Sequence, residues 1–474
     1  MDRSANSRRG GRRANHAERA NRDPAIAKLT QRAFLKFLLP PIRAGDEELA
    51  APVPQSPPDA LSAEFGAVAA AVAAAKTRLD VIPEAEFESF MRNVDLYHGL
   101  KRTLRAEYGM QIATNASSKM YELIVQMQLI ACQTGALPRL RAFCDAELPG
   151  AFIVAINHYV RTMCPETNLE WVASSYYPEA AAVKGDPTIL GDHYGIYAGN
   201  RGRWLMGPRP NALPEGEPDL TGNLLDASTV AALADAVHAI FGSGATLYTS
   251  DAGIDVSADY NRQEELTAWL NFGQILAGLL ALAPGGHLVT KQYTFTAPFS
   301  RSLIALVAAL FDEAYVTKPL TSRPANSEVY VVGKGFRGIG RALADALLDR
   351  LAAGPGAGPF AEWPPLVDPS LYAAVDEALL RAARQVHERQ QVAFLNEAAD
   401  FYAQYKGRFG ELGRALSRDA RRVQEAWLSA NPVRRIREDY LLATGDDGGD
   451  KTPRGDGPRA SGRGHDESDS EHDQ

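Results

Sequence analysis

Between residues 140 and 336 short apolar runs alternate with helical stretches, and this rhythm constrains the fold more than any other feature of the chain. The runs "LRAFCDA" (140–146), "LEWVASSYY" (169–177), "ATLYTSDAG" (245–253), "GHLVTKQYT" (286–294), "EAYVTK" (313–318) and "EVYVVGKGF" (328–336) read as strands. Between them lie "GAFIVAINHYVRTM", "ASTVAALADAVHAIF", the segment 261–283 and "SRSLIALVAALF", all with helical spacing of apolar residues. Strands separated by helices are joined by crossovers, and crossovers make parallel pairs. The pattern predicts an α/β domain with a mostly parallel sheet. The last two strands are joined by a loop too short for a crossover, so one of them is expected to run antiparallel.

The flanks have a different texture. "LTQRAFLKFLLPPI" (29–42) reads as a short amphipathic helix stopped by proline, and "APVPQSPPDA" (51–60) as a proline-rich linker. Residues 61–110 and then about Ser117 to Cys132 have helical patterns. After a second linker, "AAGPGAGPFAEWPP" (352–365), residues 370–442 are again helical and heavily charged. Both ends lack apolar residues and read as disordered tails. The first 22 residues hold seven arginines against two acids, and residues 445–474 hold nine acids against four bases.

The net charge of −8 excludes a protein that binds nucleic acid with its whole surface, so any such contact must come from a local patch. Three cysteines, Cys132, Cys144 and Cys164, form no CxxC pair and no even set. They argue against a disulfide framework and a structural zinc site, and for a reducing compartment. The longest apolar run, "FGQILAGLLALA" (272–283), is too short to span a bilayer and reads as a buried helix. No secretory signal opens the chain, so the expectation is a soluble, intracellular protein with no membrane partner.

Ligands of open α/β sheets bind outside the carboxyl ends of the strands. After the first strand comes "CDAELPGAF" (144–152), a tight Pro149-Gly150 turn leading straight into a helix. It is not GxGxxG, which disfavours a dinucleotide. Three charged residues stand at other strand ends: Asp251, Lys291 and Glu328. Each alone is an ordinary solvated strand end, but three at equivalent places would face one crevice. A buried lysine with a like-charged neighbour has a lowered pKa, and such a group can deprotonate or orient an alcohol.

The stretches "KPLTSRPANSEVYVVGKGF", "SDAG" and "TKQYTFTAPFS" resemble the FtsJ-like ribose 2′-O-methyltransferases, and "AELPGAFIVAINHYV" and "EWVASSYYP" resemble their branch that methylates the 5′ cap region of mRNA in eukaryotes and large DNA viruses. The likeness covers roughly 115–336. It implies a Rossmann-like fold, with a mostly parallel seven-stranded sheet and one antiparallel strand, flanked by helical regions. The chain then divides into a basic tail (1–25), a helical N-terminal region (26–110), the methyltransferase domain (111–340), a helical C-terminal region (366–442) and an acidic, glycine-rich tail (443–474).

The resemblance further implies a Lys–Asp–Lys–Glu tetrad of Lys119, Asp251, Lys291 and Glu328, with S-adenosyl-L-methionine as cofactor and no metal. Glu147, Pro149, Gly150, Phe152, Asp219 and Asp251 would hold the cofactor, and Lys318 and Arg323 would line the RNA path. Ala146, Leu148, Pro218 and Ala252 depart from the family's usual loop residues, and none of these changes removes a tetrad side chain. The implied partner is RNA, with capping or transcription machinery alongside. The implied location is cytoplasm or nucleus, or host cytoplasm or virion for a virus. Ribosomal or transfer RNA as substrate, and an inactive scaffold, remain alternatives.

Overall fold

The computed structural model describes residues 32–51, 53, 61–131, 139–177, 191–207, 212–213, 220–254, 256, 259–356 and 358–443. Cys132, Asp219 and nearly all of the expected tails and of the 51–60 linker lie outside these residues.

One seven-stranded sheet organises the fold. Its strands are β1 (Leu35–Leu38), β2 (Arg139–Asp145), β3 (Asn168–Ala173), β4 (Ala245–Ser250), β5 (Leu282–Gln292), β6 (Phe311–Lys318) and β7 (Val329–Phe336), in the order β1-β6-β7-β5-β4-β2-β3. β3, β2, β4 and β5 pair in parallel, as their crossovers require. β7 runs antiparallel to both β5 and β6. β1 is antiparallel to β6, so two strands run against the parallel set rather than the expected one.

β1 also corrects the reading of 29–42 as a helix. "LKFL" alternates between half-buried and exposed, a period of two, and its backbone pairs with Lys318 to Tyr315 on the sheet edge. Pro40 and Pro41 end the strand as readily as they would end a helix.

Helices cover both faces. On one face α4 (Asn115–Met127) and α5 (Ala151–Met163) pack against Ala142, Cys144, Leu247, Val289, Tyr330 and Val332. On the other, α6 (Ala227–Phe241), α7 (Gln263–Ala281) and α8 (Pro298–Leu310) pack against Phe143, Tyr248, Leu288, Val329 and Val331. The alternation of faces along β5 and β7 is the period-two rule at work. A helix that the sequence reading missed, α9 (Arg341–Ala352), joins the second face through Leu343, Leu347 and Leu351. Of the cysteines, Cys144 is buried and free, whereas Cys164 is disulfide-bonded, against the expectation drawn from their spacing.

The N-terminal helices α1 (Ser62–Thr77), α2 (Glu84–Val94) and α3 (Leu100–Ala106) meet the C-terminal α10 (Ala373–Ala383), α11 (Val392–Tyr405) and α12 (Phe409–Ala430). Phe90, Val94, Phe394, Tyr402, Leu412 and Leu416 form the core shared by α2, α11 and α12, which Ala75 of α1 joins. By contrast, α3 buries Leu100 and Leu104 on the α4 and α5 side, and α10 buries Val375 and Leu379 on the second face. A π-helical segment, Arg384–Gln391, joins α10 to α11. Beyond α12 the chain runs back over α4 and α5. There Pro432, Arg434 and Tyr440 carbonyls accept hydrogen bonds from Tyr121, His158 and Asn157.

Candidate active site

Strand parity brings the charged groups together. Lys291 on β5 is in phase with Val289 and stands opposite Tyr330 of β7 in the antiparallel ladder. Glu328, just before β7, is in phase with Tyr330 and Val332. All of these side chains lie on the face covered by α4, whose first turns carry Lys119. That helix begins at "TNASSK", where Thr114 accepts from the Ser117 amide and the Ser117 hydroxyl in turn accepts from the Thr114 amide, fixing the first helical residue, Asn115, four residues ahead of the lysine. Asp251 follows the end of β4, beside Lys291.

The four expected residues therefore meet. Lys119 Nζ donates to Glu328 Oε2 at 2.9 Å. Lys291 Nζ lies 3.5 Å from Asp251 Oδ1 and donates to the Asp251 carbonyl at 2.8 Å. Tyr330 Oη donates to Asp251 Oδ1 at 2.9 Å, and Ser322 Oγ to Glu328 Oε1 at 2.8 Å. A Cβ at position 253 would stand 3.1 Å from the Lys291 ammonium, so glycine lets the backbone pass close to it. Lys119, Lys291 and Glu328 are buried, while Asp251 keeps a fifth of its side chain exposed. Two positive and two negative groups thus share a nearly dry crevice that opens at the aspartate.

Burial works against charge on Lys119, but Glu328 and Asp251 outweigh it and hold the pKa above its ordinary value. The same contest at Lys291 ends the same way: burial opposes the charge, and Asp251, Tyr293 and Glu328 raise the pKa overall. The expectation of a lowered lysine pKa is thus not met at Lys291 in the ligand-free crevice, because the aspartate outweighs the second lysine. Glu328 is pushed up by burial and pulled further down by Lys119, Lys291 and Lys318, so it stays ionised.

The turn after β2 lies beside this crevice, at the point where the chain crosses from β3 on one side of β2 to β4 on the other. Glu147 is buried, and its Oε1 accepts from the Phe152 and Ile153 amides at 2.8 and 2.9 Å. Its carboxyl therefore fills the N-terminus of α5, where a phosphate would otherwise sit. Burial pushes Glu147 up to about 8 and its neighbour Asp145 up to about 7, against their hydrogen bonds. Gly150 has φ 109° and packs where a Cβ would meet Ile196 at 2.9 Å, so both conformation and space call for glycine. Pro149 is half-buried in the turn. Phe152 is buried against Tyr330, with ring centroids 6.3 Å apart, and so braces the crevice from behind.

Of the two residues expected on the RNA path, Arg323 is exposed on the loop before Glu328. Lys318 is not available there: it is 3% exposed. Its ammonium donates to the Glu328 and Asn326 carbonyls at 2.6 and 3.1 Å. The structure also supplies partners that the sequence reading missed. Glu122, one turn beyond Lys119 on α4, accepts from the Leu320 and Thr321 amides at 2.8 and 3.1 Å. Arg32 donates to the Leu320 and Ser322 carbonyls, each at 3.2 Å. The spacing of Glu122 from Lys119 was the only signal, and it reads equally as helix amphipathicity.

A model of the FtsJ-like methyltransferase family matches residues 208–336, which hold Asp251, Lys291 and Glu328. A probable methyltransferase of African swine fever virus is 37% identical over 364 residues, 76% of this chain and 80% of that protein. The Mus musculus cap-specific mRNA (nucleoside-2′-O-)-methyltransferase 2 is 30% identical over 252 residues, 53% of this chain and 30% of that longer protein. An uncharacterized protein of Acanthamoeba polyphaga mimivirus is 30% identical over 248 residues, 52% of this chain and 29% of that protein. With that identity sustained over four-fifths of the viral relative, and the family model matching residues 208–336, the chain belongs to the FtsJ-like methyltransferase family.

Proposed function

We propose that this protein transfers a methyl group from S-adenosyl-L-methionine to a ribose 2′-hydroxyl of RNA, near the 5′ cap of mRNA. One observation carries the reading: Lys119, Asp251, Lys291 and Glu328, from four separate parts of the chain, meet in one buried crevice beside the β2 turn. The relatives named for cap-specific 2′-O methylation favour a capped substrate.

The residues at the β2 turn fit the cofactor. The α5 amides are already taken by Glu147, which leaves no phosphate site there, while Asp251 adds a partly exposed carboxyl group at the mouth of the crevice beside the turn. Bound there, the cofactor supplies an electrophilic methyl on a sulfonium, which needs no metal to be transferred. Lys291 as an ammonium orients the attacking 2′-oxygen by a hydrogen bond. With positive charge beside Asp251, Lys291 would hold its own proton less firmly, and once neutral its amine could take the proton of the 2′-hydroxyl. Lys119 and Glu328 fix each other and keep Lys291 in place. Because the tetrad creates no covalent intermediate, positioning supplies much of the rate. Arg323 meets the RNA backbone at the rim.

The test is transfer of a labelled methyl group to matched capped and uncapped RNAs. Preference for the capped RNA is expected. Equal transfer to both would redirect the reading to ribosomal or transfer RNA. No transfer by folded, cofactor-bound protein would mean a scaffold.

A further inference from the structure

The loop between β6 and β7 carries Glu328, and its outer half is held from the C-terminal region. Gln391, the last residue of the π-helical segment, is 1% exposed. Its Nε2 donates to the Ala325 carbonyl at 2.8 Å and to Ser327 Oγ at 3.0 Å. Ser327, itself buried, also lies within hydrogen-bond reach of Gln391 Oε1 at 3.3 Å. A carbonyl only accepts, so Ala325 fixes which end of the amide faces the loop. The amide oxygen then meets His387 Nδ1 at 3.1 Å, and since that oxygen cannot donate, His387 holds its proton on Nδ1. Burial drives the His387 pKa down to about 3, so the ring stays neutral and this arrangement persists through the working pH range. His387 is in turn packed against Phe295, with ring centroids 5.6 Å apart.

Two features make this more than packing. A π-helical turn is a rare local geometry found often at functional positions, and here it sets His387 and Gln391 side by side against the loop. The residue after Ser327 is Glu328, whose carboxylate meets Lys119 on the far side of the loop. From outside, the loop meets Gln391; from inside, it meets Lys318, Glu122 and Arg32. Glu328 has no slack on either side.

We infer that Gln391, on the π-helical turn of the C-terminal region, is a positioning residue for Glu328, so that this region is an integral part of the active site. The inference rests on the methyltransferase reading given above. The experiment uses the full-length chain with Gln391→Met, an apolar residue of similar length, and separately Ser327→Ala on the loop side. Expected for each is a kcat at least tenfold below that of the parent, with cofactor affinity within about twofold. The pH–rate profile should shift, because a looser Glu328 changes the charge balance around Lys119 and Lys291. The Gln391→Asn variant, which keeps both amide groups, should recover part of the rate that Gln391→Met loses. Backbone hydrogen exchange over residues 325–329 should rise in Gln391→Met, and this readout does not depend on RNA turnover. A folded Gln391→Met or Ser327→Ala protein with unchanged kcat, pH profile and loop exchange overturns the inference. Should Gln391→Met fail to fold, Ser327→Ala decides alone. Absence of transfer by the parent protein would sink the functional reading instead, and loop exchange would still judge the clamp.

Discussion

Lys291 and Lys318 flank Glu328 from opposite sides and are equally buried, 2% and 3% exposed, yet they respond to burial in opposite ways. Lys291 faces a carboxylate, Asp251, which with Tyr293 and Glu328 more than offsets the cost of burying its charge, and its pKa rises. Lys318 faces carbonyls and a side-chain amide. Burial lowers its pKa to about 7, Glu328 offsets this only in part, and Arg32 and Lys119 lower it further. The Glu328 carboxylate itself is turned toward Lys119 and Ser322. Equal burial therefore does not make equal sites; the formal charge of the nearest partner decides. The first lysine sits beside the partly exposed Asp251, and the second serves the loop behind it.

Removing either lysine should break this comparison in different observables. Lys291→Ala is expected to lower methyl transfer roughly a thousandfold or more, with cofactor affinity changed only a few-fold, measured by single-turnover transfer and equilibrium binding. Lys318→Met should act on stability, by about 1–3 kcal/mol, because loop carbonyls lose their donor in a dry setting. It should also change the pH dependence of stability. The folded pKa of about 7 lies below the ordinary lysine value of 10.5, so the unfolded chain binds more protons between those values. The Lys318 contribution thus makes the protein more stable as pH rises from 7 toward 10.5, and Lys318→Met removes that slope in melting temperatures taken across the window.

Glu147 sharpens the contrast from the acid side. Its folded pKa of about 8 lies above the ordinary glutamate value of 4.5, so the folded protein holds the extra proton and loses stability as pH rises from 4.5 through 8. Glu147→Gln keeps an oxygen for the Phe152 and Ile153 amides and should flatten that decline, seen as a higher melting temperature at pH 8 relative to the parent. The smallest effect is expected at exposed Arg323. Arg323→Ala should leave stability within about 0.5 kcal/mol. It should weaken RNA binding modestly, with the salt dependence of log affinity reduced by about one unit of slope.

Much of this arrangement was legible in the chain. Six strands were visible because fully or half-buried strands in a sheet write their pattern into the sequence. Asp251, Lys291 and Glu328 stood out because charge at the end of an apolar run is conspicuous. β1 was not legible: four residues of "LKFL" satisfy either period, and only pairing with β6 decides between them. The burial of Lys318 was hidden because a lysine that ends a strand looks the same whether it meets solvent or folds back on its own loop. Glu122 and Gln391 were hidden for a related reason. Part of their work is done on backbone groups roughly 200 and 66 residues away, and a partner that is backbone leaves no residue type to recognise.

The most direct test of the central claim is where the methyl group goes. A ribose methylated at its 2′-oxygen has lost the nucleophile that drives alkaline cleavage of the next phosphodiester. Capped RNA treated with this protein and labelled cofactor, then hydrolysed in alkali, should yield label in an alkali-resistant fragment, and the Lys291→Ala protein should yield none. Label recovered on a base, or resistance that survives Lys291→Ala, would contradict the account.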